Sequence, residues 1–214
     1  AGTGAGDRDY NDLSFHVEFT QANESWMGFS QIFDNVWGGH RHAMIGPTQI
    51  DRYGQANISA IGGTYHAPKI QMLGVRGLPG NSISHANSFF IPNHSKQVFV
   101  AGECDVVCSI GYHPERLPKG YSLDDIDIRY VITDLCVMDW QGPDHSLRVI
   151  SLHPGVSFAE VQECTGFELF CLDDVPTTVS PTQQQIDIIH QLDPHNLRAK
   201  QLKDNPPGIR GERV

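Results

Sequence analysis

Seven glycines (Gly46, Gly54, Gly62, Gly63, Gly74, Gly77 and Gly80) punctuate residues 46–96, and the apolar runs between them are only a few residues long. That spacing excludes a long helix. It leaves short strands that end where the backbone turns sharply or where something comes close to it. The fragments 58–61, 70–73 and 89–91 read as buried strands. Between them stand side chains that donate or accept: Gln49, Asp51, Arg52, Tyr53, Asn57, Arg76, Asn81, His85 and His94. Strands that stop at glycine turns carrying polar groups describe the rim of a pocket.

At 214 residues the chain has the length of one domain with a substantial core. With 39% apolar and 19% charged residues it is globular in composition. A net charge of −10 argues against nucleic acid or an anionic membrane as partner. No apolar run reaches the length of a membrane span, and no signal-peptide pattern opens the sequence. The five cysteines include no CxxC pair. Cys104, Val106 and Cys108 share one face of an expected strand, which reads as buried, reduced thiols in a cytoplasmic protein.

Along the chain, Gly2, Gly4 and Gly6 form a G-x-G-x-G string without the flanking strand and helix that a dinucleotide site needs, so residues 1–25 read as an irregular segment. Residues 14–19 alternate as a short strand. Phe29, Ile32, Phe33, Val36 and Trp37 give one apolar stripe on a helix that Ser25 caps and Gly38–Gly39 ends. Strands are expected at 97–100, 104–112, 129–140 and 145–153, with a polar excursion at 113–127. A helix from Ser157, a strand at 167–172 and a helix opened by a Ser180–Pro181–Gln183 capping box complete the body. Residues 26–199 form the expected α/β domain, with its site at loop ends, and 200–214 an arm that orders against a partner.

Several of these motifs, in this order, resemble the β-type subunits of the class I CoA-transferase superfamily. QIDRYGQANISAIG is similar to the family's signature loop, LGVRGLPGN to its glycine-rich loop, VITDLCVMDW to a late hairpin strand, and HPGVSFAEVQECTGFELF to the closing strand–helix–strand. GVRGLPGNSISHANSFFIPNHSKQVF and GPDHSLRVISLHPGV resemble one branch, the β subunits of CoA-thioester hydrolases that open the last rings in bacterial steroid degradation. The resemblance covers roughly residues 26–193. It implies an open α/β fold with a central sheet flanked by helices, shortened in its N-terminal part relative to the family. It also implies an α-subunit partner, in α2β2 units, that supplies an essential carboxylate. Coenzyme A would enter as part of the substrate, with no bound cofactor and no metal.

The resemblance places the backbone N–H of Leu78 as the oxyanion donor, since charge that builds on a thioester oxygen is best met by fixed amides. Arg76 stands where transferases carry a glycine. It either binds a carboxylate or phosphate bidentately or braces the loop through an aspartate. Gly77 and Asn81 lie in the same loop. Tyr53 and Asn57 border the pocket from the signature loop, although short side chains such as Asp51 and Asn57 serve as turn braces more often than as catalysts. His85 and His94 flank the apolar run after the glycine loop, and each is a candidate base or carboxylate holder. His40 and His42 lack a third ligand, and Asp144–His145 reads as a structural turn. The glutamate that transferases use as nucleophile has no matching motif, and Glu24 is not assigned that role. Three readings follow: the ring-opening hydrolase subunit, a β subunit of a glutaconate- or 3-oxoacid-type transferase, and a non-catalytic partner subunit.

Overall fold

The structure, a computed structural model, describes residues 27–39, 42–72, 74–75, 77–194 and 197. The expectations for residues 1–26, His40, Arg76 and 200–214 fall outside them. The chain divides into two units, residues 1–35 with 179–214, and residues 36–178.

In the first unit, helix α1 (Phe29–Trp37) begins and then runs across the boundary. Its predicted stripe is present, with Phe29 and Phe33 one turn apart at 5.7 Å between rings, and it is open to solvent: Phe29 is 73% exposed. Helix α4 (Gln183–Leu192) starts two residues later than the sequence pattern suggests. Its capping box uses Thr182 and Gln185, because the Thr182 hydroxyl reaches the Gln185 amide while the Gln185 side chain returns to the Thr182 amide.

The second unit is built on a six-stranded mixed sheet in the order β1 (Ala43–Ile45), β6 (Asn87–Ile91), β7 (Ile128–Thr133), β8 (Cys136–Asp139), β9 (Arg148–Leu152), β10 (Phe170–Cys171). β1, β6 and β7 are parallel, whereas β7, β8 and β9 run antiparallel. The run 129–140 therefore folds back on itself at Asp134–Leu135 and is not one strand. The Thr133 hydroxyl makes the reversal, accepting the Leu135 and Cys136 amides at 3.0 and 3.1 Å. Phe89, Val131, Met138 and Val149 alternate onto the buried face, where Phe99, Trp140, Leu147 and Val161 complete the core. The opposite face leaves Met44, Phe90 and Tyr130 exposed on the three parallel strands.

Two runs expected as strands are irregular. Residues 97–100 contribute one bridge, Ile50 to Phe99, and residues 104–112 one bridge, Ala56 to Ser109. Gly102 and Gly111 adopt left-handed φ on either side, which stops a ladder from extending. Cys104 and Cys108 are buried as expected, but as single anchors beneath the loop around Asp51. Helix α3 (Phe158–Glu163) begins as predicted at Ser157, whose hydroxyl accepts the Glu160 amide.

Candidate functional site

The signature loop is a tight reversal between β2 (Gln49–Ile50) and β3 (Ala56–Asn57). Asp51 shapes it. One carboxylate oxygen accepts the amides of Tyr53 and Gln55 at 3.0 Å, and the other accepts the Gln55 side-chain amide. Burial raises the Asp51 carboxyl above its ordinary value, and the Gln55 side-chain bond and the backbone bonds of Tyr53 and Gln55 pull against that rise. Asn57 is wholly buried. Its amide donates to Gln49 Oε1 and to the Ala60 carbonyl at 2.7 Å, and its Oδ1 accepts from Ser59 N at 2.9 Å. Every polar atom of Asn57 is thus engaged inside the fold, where it fixes the exit from β3.

Tyr53 is half-buried, with the Arg52 guanidinium 4.7 Å above its ring centroid and the His113 ring edge-on at 4.7 Å. The turn beneath these side chains is held tightly. Tyr112 N donates to the Tyr53 carbonyl at 2.7 Å and Leu147 N to the Arg52 carbonyl at 3.2 Å. A Cβ on Gly54 would lie 2.5 Å from the Trp140 ring, and one on Gly111 would lie 2.3 Å from the Tyr53 carbonyl oxygen.

A hairpin of β4 (Ala60–Thr64) and β5 (Ala67–Gln71) brings this loop to the glycine-rich one. Its base is closed by Met72 N donating to the Ser59 carbonyl at 2.7 Å, and Gly74 packs so closely on Ile58 that a Cβ would sit 3.0 Å from Cδ1. Two segments separated in sequence by the hairpin become neighbours.

Residues expected as loop around Leu78 instead form a short helix, α2 (Leu78–Ser84). Gly77, Pro79 and Gly80 conceal it in the sequence. Pro79 suits a first turn that needs no N–H, and Ser82 and Ser84 bond back to the carbonyls of Pro79 and Gly80. The N–H of Leu78, at the first helical position, makes no hydrogen bond among the described residues. Asn81 faces α1: its Oδ1 accepts the Trp37 indole N–H at 2.8 Å, and its carbonyl accepts from the Asn87 amide at 2.9 Å. His85, the C-cap, is 7% exposed; its Nδ1 lies 3.0 Å from the Ala86 carbonyl and so carries the proton, leaving the buried Nε2 as an acceptor without a partner. Asn87 Oδ1, two residues on in an extended chain, is likewise buried and unpartnered. Sequence reasoning missed Asn87, and nothing in its local pattern marks it.

Gly77, Leu78, Asn81 and His85 therefore share one short helix and its caps, and Tyr53 and Asn57 share the adjoining loop. Arg76 lies outside the described residues. His94 stands apart, beyond the end of β6. Its ring stacks on Phe99 at 3.9 Å, with Nε2 2.9 Å from Thr165 Oγ1 and Nδ1 3.2 Å from Thr133 Oγ1. Thr165 gives its hydroxyl proton to the Val161 carbonyl, so it accepts from His94 Nε2–H; the Thr133 hydroxyl beside Nδ1 has its one proton within reach of both Nδ1 and the Cys136 carbonyl. Burial lowers the His94 pKa from 6.5 to about 4. Burial also holds up the thiols of Cys104 and Cys136, the latter to about 12, which removes both as nucleophiles. Among the described residues no three His, Cys, Asp or Glu side chains gather to hold a metal ion, and no helix is long and apolar enough to cross a membrane.

No protein-family model matches the chain. It is 42% identical over 181 residues to the cholesterol ring-cleaving hydrolase IpdB subunit of Mycobacterium tuberculosis, covering 84% of this chain and 71% of that one. The corresponding subunit of Rhodococcus jostii is 39% identical over 180 residues, with 84% and 70% coverage. The crystal structure of Rhodococcus jostii IpdAB superposes with a TM-score of 0.75, over 84% of this chain and 71% of that one. Glutaconate coenzyme A-transferase of Acidaminococcus fermentans follows at a TM-score of 0.65 and 26% identity, over 77% and 64%.

Proposed function

Because the chain belongs to the family of cholesterol ring-cleaving hydrolase IpdB subunits, within the class I CoA-transferase superfamily, we propose that it is the β subunit of a heteromeric CoA-thioester hydrolase. Its reaction is the water-dependent cleavage of a carbon–carbon bond in a ring-bearing β-keto acyl-CoA from steroid catabolism. The carrying observation is that sequence and fold lead to the same kind of subunit: the chain is 39% identical to the Rhodococcus jostii subunit and superposes on the IpdAB structure with a TM-score of 0.75.

The chemistry divides into parts that this chain supports and parts that it lacks. Water adds to the β-keto carbonyl, and the bond from that carbon to the α-carbon breaks. The electron pair left on the α-carbon delocalises into the thioester as an enolate, which then takes a proton. Where the broken bond lies in the ring, the product is a single ring-opened molecule that carries a new carboxylate and an intact CoA thioester. The Leu78 N–H, at the start of a helix and without a partner of its own, is suited to hold the enolate oxygen. His85 Nε2, an acceptor on the same helix, is suited to receive a proton from water or from the substrate. In this reading Gly77, Asn81, Tyr53 and Arg76 serve the substrate, whereas Asn57, buried with its polar atoms all engaged, braces the loop behind them. The activating carboxylate belongs to the α subunit, in an assembly we take as α2β2, and its docking covers apolar surface such as Met44 and Phe90. No bound cofactor is required, since coenzyme A arrives on the substrate. We take its setting to be the cytoplasm, a reading that the five free thiols support.

The test is co-expression with the α subunit and mass spectrometry of a ring-bearing steroid acyl-CoA turned over in heavy-oxygen water. Label in the new carboxylate, with CoA still attached, is the expected result. Unlabelled exchange of CoA onto acetate or succinate would establish a transferase instead.

A further inference from the structure

A chain of net charge −10 that takes a CoA thioester must receive several phosphate charges against its own field. Of the four arginines among the described residues, Arg116, Arg129 and Arg148 are tied to Glu103, Asp127 and Asp139. Arg52 has no carboxylate at salt-bridge distance among the described residues. It is exposed, and its guanidinium rests on the Tyr53 ring at 4.7 Å.

The backbone under this pair is among the most constrained in the molecule. Asp51 caps the Tyr53 amide, Tyr112 and Leu147 hold the carbonyls of Tyr53 and Arg52, and Gly54 and Gly111 pack where no Cβ fits. His113 sets its ring edge-on to Tyr53 from a second segment. A rigid turn that presents a free guanidinium on an aromatic face has the two chemistries that a nucleotide needs: a planar, doubly donating cation for phosphate and a π surface for the base. Resting on the function proposed above, we infer that Arg52 and Tyr53 form the docking site for the phosphoadenosine end of the CoA substrate. The pantetheine arm then runs from this turn toward the glycine-rich loop, which the β4–β5 hairpin holds against Ile58 and Ser59. Remote binding at the nucleotide positions the thioester without taking part in the chemistry.

The αβ complex is assayed on a ring-bearing acyl-CoA, the same acyl group on dephospho-CoA, and its pantetheine thioester. For Arg52→Ala, KM for the CoA thioester should rise about tenfold or more, with a far smaller fall in kcat, as expected for loss of a charge-assisted phosphate contact. The pantetheine thioester should change less than about twofold, because it lacks the contacting group. Tyr53→Leu, which removes the aromatic face, should resemble Arg52→Ala. Equal losses on CoA and pantetheine substrates, or no loss on either, overturn the proposal. Calorimetric titration with free CoA and with pantetheine reads the site without turnover: Arg52→Ala must weaken CoA selectively. A complex that cleaves none of the thioesters defeats the proposed function, whereas a complex that turns over and treats Arg52→Ala as silent defeats only the nucleotide site.

Discussion

His94 should make this protein lose stability as the pH falls from neutral toward 4, by an amount that its surroundings set. The ring is buried, stacked on Phe99 and within hydrogen-bond distance of a hydroxyl at each nitrogen, while the Asp134 carboxylate accepts the residue's backbone N–H. Desolvation alone lowers its pKa from 6.5 to about 4. In the unfolded chain the imidazole takes a proton as the pH drops through 6.5, while the folded ring refuses one until about 4. Across that window the unfolded state binds more protons. Stability is fully present above 6.5, declines as the pH falls, and levels off below the folded value. At roughly 1.4 kcal/mol per pH unit, the interval amounts to about 3 kcal/mol, a large part of the ~5–15 kcal/mol that holds a typical domain. Asp51 acts in the opposite direction, because its raised carboxyl favours the folded state in acid. The measurement is therefore a difference: urea unfolding of the αβ complex and of its His94→Gln variant at a series of pH values from 7.5 to 4.5. The unmodified protein should lose about 2–3 kcal/mol more than the variant over that range. Nitrogen-15 spectra of the ring should show the Nε2–H tautomer and no titration between pH 5 and 8. A ring that titrates near 6.5, or parallel stability curves for the two proteins, would refute the burial argument.

Gly54→Ala combines a left-handed φ of +78° with a Cβ 2.5 Å from the Trp140 ring. It should cost about 2–5 kcal/mol from backbone strain and overpacking, and a loss below about 1 kcal/mol in urea would mean that Trp140 moves freely aside. Asn57→Ala takes the partner from the Ala60 carbonyl and Ser59 N and leaves Gln49 Oε1 with the Asp105 amide alone, so a loss of about 3 kcal/mol is expected. A near-neutral result there would require water in their place. Replacing the amide that precedes Leu78 by an ester deletes its N–H and weakens only the Gly77 carbonyl, which accepts the Asn81 amide. In the αβ complex kcat should fall about a hundredfold or more, and an unchanged kcat would remove Leu78 as oxyanion donor.

What the sequence disclosed, and what it concealed, follows from the range of the interactions involved. The α1 stripe, the Ser157 cap and the strands around Phe89 and Val149 rest on local periodicity and were legible. The bracing geometry of Asp51 was legible for the same reason, since a short carboxylate two residues before an amide bonds to it in a turn. Helix α2 was hidden, because Gly77, Pro79 and Gly80 are breakers by composition and the helix depends on serine back-bonds and on packing. The runs 97–100 and 104–112 have strand composition but no partner long enough to form a ladder with, and only the tertiary arrangement decides that. The meeting of the two loops depends on the base of a hairpin, and the two segments carry no mark of each other in sequence.

The change from parallel to antiparallel pairing at β7 also sets an order of events as the chain forms. β7, β8 and β9 are joined by short connections, and hairpins of that kind close in microseconds. β1 must wait for β6, and β6 for β7, across the whole glycine-rich stretch and the 113–127 excursion. Pairings of such long sequence separation are slow, because loop closure precedes any reward from contact. On the ribosome, β1 and β6 emerge before the meander that templates them, and although the β2–β3 and β4–β5 pairs between them can close locally, the outer edge of β6 lacks its β7 partner until residues 128–133 have been made. Folding should therefore proceed backward through the sheet, from the late meander toward β1, and the newly made N-terminal half is the part that most needs a chaperone.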